Sequence, residues 1–249
     1  MNRRFKLKMH DYIHSPAGKR TYNERMFAEI APHYDLVNKI LSLGRDCVWK
    51  DTLVRSLPDI QSPTCLDLAC GTGDITFRLA KRYPAANVTG IDITEPMLAL
   101  ANSRNCHANV TFLDKDMCAT GVADSSIDIV TGAYALRNAP DLQAALKEIH
   151  RVLKPGGIAA FLDFSKPPSR PLQKVENALL KTWCGFWGIL LAGNYEVYAY
   201  VAESLKQFPN AEQLKLLLKD TGFEQIHSRN YYFGVLAAVS CRKPPPPNI

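Results

Sequence analysis

The chain has 249 residues, 47% of them apolar and 22% charged, the balance of a soluble globular protein with one sizeable core. Its formal net charge of +6 is not gathered into long basic runs, which favours a solvated surface with some affinity for anionic head groups over a nucleic-acid interface. Seven cysteines, at positions 47, 65, 70, 106, 118, 184 and 241, are odd in number and form no Cys-x-x-Cys pair, so reduced cytoplasmic thiols fit better than a disulfide framework or a zinc knuckle.

Residues 1–21 are polar and basic and read as an arm. Met1 to His10 lacks the apolar stretch of a secretory signal; a short mitochondrial presequence stays open, although the Ser-rich stretch is missing. From Tyr22 to Leu57, Phe27, Ile30, Tyr34, Val37, Ile40 and Leu41 recur at helical spacing, which predicts a helical cap. Pro58 and Pro63 flank a linker. A βα rhythm follows. Strands are predicted at Thr64–Ala69, Asn87–Ile91, Val110–Leu113, Ile127–Gly132 and Ile158–Phe164. Helices are predicted at Asp74–Tyr83, Glu95–Ser103 and Asp141–Leu153, with a turn at Lys154–Gly157. Strands separated by helices pair in parallel, because each crossover returns the chain in the same direction.

Residues 167–209 carry a helical, aromatic-rich pattern and read as an insertion. Ala211–Asp220 is a helix closed by Gly222. Phe223–Asn230 and Tyr232–Cys241 are consecutive strands expected to pair antiparallel, and Pro244–Pro247 is an extended stub. The organisation is thus an α/β domain over 22–242. It comprises a cap at 22–57, a cofactor-binding core at 64–164 and the insertion at 167–209, with a Pro-rich tail at 243–249. The longest nearly apolar run, Trp183 to Ala192, is about half of what a bilayer crossing needs. It reads either as a buried core helix or as a lid over a hydrophobic channel that also touches a membrane.

The first strand ends in Leu66-Asp67-Leu68-Ala69-Cys70-Gly71-Thr72-Gly73-Asp74. Gly71 and Gly73 allow close backbone approach at the carboxyl end of a parallel strand, where open α/β sheets bind ligands. Asp92 ends the second strand, 21 residues after Gly71, a spacing at which a carboxylate accepts hydrogen bonds from both ribose hydroxyls of an adenosine. The alternative is a tight βα turn with a surface acid. A dinucleotide fingerprint would have a third glycine where Thr76 stands. Asp74 puts a carboxylate where a pyrophosphate would sit, which repels phosphate and suits the sulfonium and ammonium of S-adenosylmethionine.

Asp67 through Asp74 is similar to motif I of class I methyltransferases. More specifically, the chain resembles the ubiquinone/menaquinone biosynthesis C-methyltransferase family over about residues 22–241. The resemblance rests on Tyr34-Asp35-Leu36-Val37-Asn38 through Trp49, on Ala135-Leu136-Arg137-Asn138 and on Arg151-Val152-Leu153-Lys154-Pro155-Gly156-Gly157. Phe164-Ser165-Lys166-Pro167 and Ala202-Glu203-Ser204-Leu205 continue it. It implies a Rossmann-like, seven-stranded, mostly parallel sheet with an antiparallel C-terminal hairpin, and S-adenosylmethionine as cofactor. Asp67, Ala69 and the Gly71–Gly73 turn would hold the methionine moiety. Asp92 would hold the ribose, Ile93 would lie against the adenine, and Asp116 with the Met117 backbone would meet the adenine amine. For Asp116 the alternative is a polar loop residue.

Arg137 and Asn138 follow the fourth strand, over the same cleft. A ring carbon becomes nucleophilic when a neighbouring hydroxyl ionises, and a guanidinium stabilises that oxyanion. Arginine stays protonated, so Arg137 is read as a stabiliser that Asn138 orients; the alternative is a surface ion-pair partner. Tyr34, Asn38, Tyr195, Tyr198 and Tyr200 are expected to line the substrate pocket. No metal cluster is visible, and His150 reads as surface or structural. The resemblance has departures: Asp46 stands where that family has His, Cys70 where it has Gly, Asp163 where it has Glu and Ala199 where it often has Arg. The expected partners are a hydrophobic quinol-type substrate, a peripheral contact with the inner membrane from the cytoplasm, no nucleic acid and, as an open option, a second copy. The rival functions are methylation of another aromatic or lipid metabolite and a non-catalytic cofactor-binding scaffold.

Overall fold

The computed structural model describes residues 7–167, 169–192 and 195–246; the side chains at 176, 184–186, 188–192, 195–199 and 233 lie outside that description. Helices α1 (Pro16–Ile30), α2 (Tyr34–Leu41) and α3 (Asp46–Arg55) come first. Then follow β1 (Thr64–Leu68), α4 (Asp74–Arg82), β2 (Asn87–Asp92), α5 (Glu95–Arg104), β3 (Val110–Asp114), β4 (Ile127–Ala133), α6 (Leu142–Val152) and β5 (Leu153–Phe164). Helices α7 (Arg170–Ala192), α8 (Tyr195–Gln207) and α9 (Ala211–Asp220) precede β6 (Glu224–Tyr231) and β7 (Leu236–Arg242).

The seven strands form one sheet in the order β3-β2-β1-β4-β5-β7-β6. Strands β1 to β5 run parallel, and β7 runs antiparallel to both β5 and β6. Chain order reverses between β1 and β4, so the loops at their carboxyl ends part there and leave a crevice. Alternation along the strands feeds two faces. Leu66, Leu68 and Val130 pack against α6 and α9 through Leu146, Ile149, Leu214 and Leu218. Cys65, Val88 and Ile129 pack against α3, α4 and α5 through Leu53, Val54, Leu79 and Leu98. A third cluster seats the cap over the carboxyl edge: Met26, Ile30 and Val37 meet Met97 of α5 and Tyr200 of α8.

Three boundaries differ from the sequence reading by more than one residue. The helix of the cap starts inside the expected arm, at Pro16, because Ser15 caps it by accepting from the Gly18 amide and Pro16 suits the first helical position. The Lys154–Gly157 turn lies within β5. Leu153 already pairs with Ile127, and the ladder resumes at Ile129 opposite Ile158, so the intervening residues bulge out. The last strand begins at Leu236, not Tyr232. Tyr232 at φ 50° and Gly234 at φ 98° make the reversal between β6 and β7. Pro244 to Pro246 form no regular element, and Pro247 lies outside the described residues.

Candidate active site

After β1 the backbone turns sharply, with positive φ at Ala69 (48°), Gly71 (54°) and Gly73 (86°). At the end of β2, the Asp92 carboxylate accepts the Gly71 amide at 2.9 Å and the Thr94 amide at 2.9 Å. One side chain therefore ties two loops together. Burial raises its pKa, and those amides act in the opposite direction. Beside it opens a cleft lined by Ala69, Gly71, Asp92, Ile93, Asp116 and Met117, with Phe27 and Tyr34 of the cap as its roof. Six of the nine predicted cofactor residues thus come together. Asp116 accepts the Cys118 amide at 2.8 Å and pairs with Arg20 of α1 at 2.9 Å.

Asp67, Gly73 and Asp74 do not line this cleft. Asp67 is buried beneath it and accepts from the hydroxyls of Thr76 (2.7 Å) and Thr131 (2.9 Å). Burial pushes its carboxyl up to about 6, against the pull of those hydroxyls. Gly73 caps α4; a Cβ there would lie 2.8 Å from Phe112 and 2.9 Å from Phe77. Asp74 corrects the electrostatic expectation. Its carboxylate faces Lys50 at 2.8 Å and Arg78, so it is not turned toward the cleft. Lys50 is buried, and a buried ammonium demands acidic partners; Asp46 at 2.7 Å is the other.

A second cleft adjoins the first. Met26, Ile30, Val37 and Leu41 give it an apolar wall, and Asn38, Arg137, Asn138 and Tyr200 its polar and aromatic one. Four side chains, Phe27, Tyr34, Tyr134 and Asn138, line both clefts and form the partition between them. Of the predicted substrate residues, Tyr34, Asn38 and Tyr200 are brought together here; Tyr195 and Tyr198 have side chains outside the described residues.

Arg137 is buried, which overturns its reading as a surface partner. Its guanidinium lies 3.4 Å from the buried Asp163 carboxylate, donates to Ser204 Oγ and sits over the rings of Phe164 and Tyr200. Asp163, the departure from Glu, also accepts the Arg137 amide at 2.9 Å. Burial raises the Asp163 pKa, and Arg137 is the first influence opposing it. Asn138 donates to the Tyr134 carbonyl at 2.7 Å. Its Oδ1 is buried without a hydrogen-bond partner, and Asn38 meets the hydroxyl of Tyr34. Among the described residues, no cluster of His, Cys, Asp and Glu could hold a metal ion. His150 stacks edge-on against Phe223, away from both clefts.

Sequence reasoning missed Phe27 and Tyr134. Tyr134 takes φ 59° immediately after β4 and donates its hydroxyl to Asp46 at 2.7 Å. Its place at a strand's carboxyl end was the available signal. Asp46 does not itself line either cleft, so the departure from His reaches the site through the Tyr134 ring and through its charge near Tyr34.

A Rossmann-like sheet with a cleft at its switch point that shares lining residues with an apolar one is the frame in which the comparisons place the chain among the methyltransferases. The chain belongs to the ubiE/COQ5 methyltransferase family, which it matches over residues 17–243. It is 40% identical over 215 residues to a demethylmenaquinone methyltransferase of Thermus thermophilus, covering 85% of this chain and 97% of that one. It is 34% identical over 258 residues to the ubiquinone/menaquinone biosynthesis C-methyltransferase UbiE of Rickettsia prowazekii, covering 97% and 99%. Among solved structures, a SAM-dependent methyltransferase of Thermotoga maritima superposes with a TM-score of 0.62 at 18% identity, over 88% of this chain and 99% of that one; that likeness concerns the fold. S-adenosylmethionine fits the residues present. Ile93, Met97 and Met117 offer apolar surface for a base, Asp92 stands at the strand end, and Gly71 leaves Tyr34 as the nearest atom to any added Cβ, at 3.7 Å.

Proposed function

We propose that this protein methylates a ring carbon of a polyprenylated benzoquinol or naphthoquinol. The observation that carries this reading is the partition of Phe27, Tyr34, Tyr134 and Asn138, which stands between the cleft at the ends of β1 and β2 and an apolar cleft lined by a buried guanidinium. Asp92 would accept from the ribose, Asp116 and Met117 would flank the adenine, and Ala69 and Gly71 would shape the room for the methionine moiety. Asp67 and Gly73 support the floor from beneath, and Asp74 braces α3 against α4. When bound, S-adenosylmethionine supplies a methyl already activated by its positive sulfur, so positioning is a main task of the protein.

Arg137 stabilises the charge that develops on a ring oxygen as its hydroxyl proton passes to solvent, which makes the neighbouring carbon nucleophilic; once that carbon has taken the methyl, its own hydrogen leaves as a proton to solvent and the ring oxygen is reprotonated. The unpartnered Asn138 Oδ1 supplies an acceptor that fixes a hydroxylated ring. Purified protein given the labelled cofactor and a demethylated quinol should yield a product labelled on a ring carbon, read by mass spectrometry and NMR. Label on a ring oxygen would overturn this reading and favour the rival metabolite methyltransferase. No label on any acceptor, with the cofactor still bound, would favour the scaffold.

We also propose a peripheral membrane contact at α7. Leu172, Val175, Leu179 and Trp183 form an exposed apolar ridge on this helix, and Arg170, Lys174 and Lys181 stand on its opposite flank without an ion-pair partner among the described residues. Leu180 of the same helix packs on the cap over the substrate cleft. Among the described residues no helix is long and apolar enough to cross a membrane, so the contact would be interfacial. Flotation with anionic vesicles should carry the protein upward, and Leu179→Glu should reduce this. Dimerisation through the ridge without vesicle binding would overturn the contact.

A further inference from the structure

The turn that carries Arg137 and Asn138 is a single 3₁₀ turn, Leu136–Asn138, closed by the Asn138 amide donating to Ala135 and the Ala139 amide donating to Leu136. Its outgoing carbonyls have no following helix to receive them, so they need donors from elsewhere. One helix supplies all three. Lys19 Nζ of α1 donates to the carbonyls of Arg137 at 2.9 Å and Ala139 at 2.7 Å. Asn23 Nδ2, one helical turn further along the same face, donates to the Asn138 carbonyl at 2.8 Å.

The placement is costly for an anchor. Lys19 is held near a second cation, Arg137, with the buried Asp163 acting on both. Burial first, and Arg137 second, bring its pKa down to about 8; Asp163 and Cys118 act the other way. Lys19 also lines a rear hollow whose far wall is Arg137, while the front of Arg137 lines the substrate cleft. The ammonium therefore stands behind the turn, against the backbone of the two residues that face the ring.

We propose that Lys19, seconded by Asn23, is a positioning residue that acts from behind the 3₁₀ turn to aim Arg137 and Asn138 into the substrate cleft. This rests on the assignment of those two residues to the reacting ring. Lys19→Met removes both donated hydrogen bonds and the charge. It should lower kcat ~10–100-fold, the scale of a misaimed catalytic group, with calorimetric affinity for S-adenosylmethionine within about twofold. Lys19→Arg, which restores a cationic donor, should recover most of kcat. Amide hydrogen exchange at Asn138 and Ala139 should quicken in Lys19→Met and return toward the original rate in Lys19→Arg. The exchange measurement needs no acceptor, so it reads the brace even if the acceptor is not a quinol. Asn23→Ala, a milder change, should give a smaller loss in the same direction if Lys19→Met fails to fold. Full kcat in folded Lys19→Met, or unchanged exchange at the two amides, would overturn the proposal, as would a loss confined to cofactor affinity.

Discussion

The floor of the cofactor cleft comes from the ends of β1 and β2 and the loop after β3, three short stretches whose shape is set by backbone bonds and left-handed residues. The substrate cleft is walled by α1, α2 and α8 and by the turn after β4, whose side chains meet across long sequence separations. The first is stiffened by amides that close on a carboxylate. The second depends on buried charges holding one another, as with Arg137 and Asp163. Removing one member of such a pair strands the other in a medium that solvates it poorly. Changes in the second region should therefore act on the chemistry, and changes in the first on cofactor affinity and on the stability of the sheet.

The largest effect is expected where charge is removed from the substrate side. Arg137→Ala combined with Asp163→Asn leaves no stranded carboxylate and should lower kcat by ~10²–10³-fold, with cofactor affinity nearly intact. A loss confined to cofactor binding would erase the division between the two regions. The next tests the floor. Asp67 has a folded pKa of about 6 against an ordinary 3.8, so the folded chain holds a proton that the unfolded chain releases in between. That contribution to stability is fully present below the ordinary value and is lost as pH rises through the folded one. Asp67→Asn does not titrate, so its stability relative to the parent should grow by about 3 kcal/mol between about pH 4 and about pH 7. Urea unfolding curves that keep a constant separation across that range would contradict the buried-acid assignment. The smallest effect is on Asp92→Asn, which keeps one acceptor and should weaken cofactor binding by about 1–3 kcal/mol while leaving kcat nearly unchanged. Unchanged affinity by calorimetry would remove Asp92 from the ribose.

The same division explains what the sequence disclosed. That Asp92 and Gly71 border the cleft was legible because their placement is local: a strand ends, the backbone turns, and a carboxylate follows at a fixed spacing. The alternation of strands and helices led to the parallel sheet and the closing hairpin for the same reason. Asp74 misled because its partner, Lys50, lies 24 residues upstream, on a helix whose docking no local pattern announces. Phe27 and Tyr134 went unseen because their roles exist only once the cap folds over the sheet. The start of α1 was signalled by Ser15-Pro16, yet the polar, basic composition around it read more strongly as an arm.

The partition has a consequence for how the two ligands behave together. Tyr34 and Tyr134 border both clefts, Tyr134 with Phe164 stacked on its ring and Lys50 over it, so an occupant that displaces either side chain alters the lining of both. Occupancy is then shared information: the grip on the acceptor depends on whether the nucleoside is present, and thermodynamic reciprocity requires the same factor in reverse.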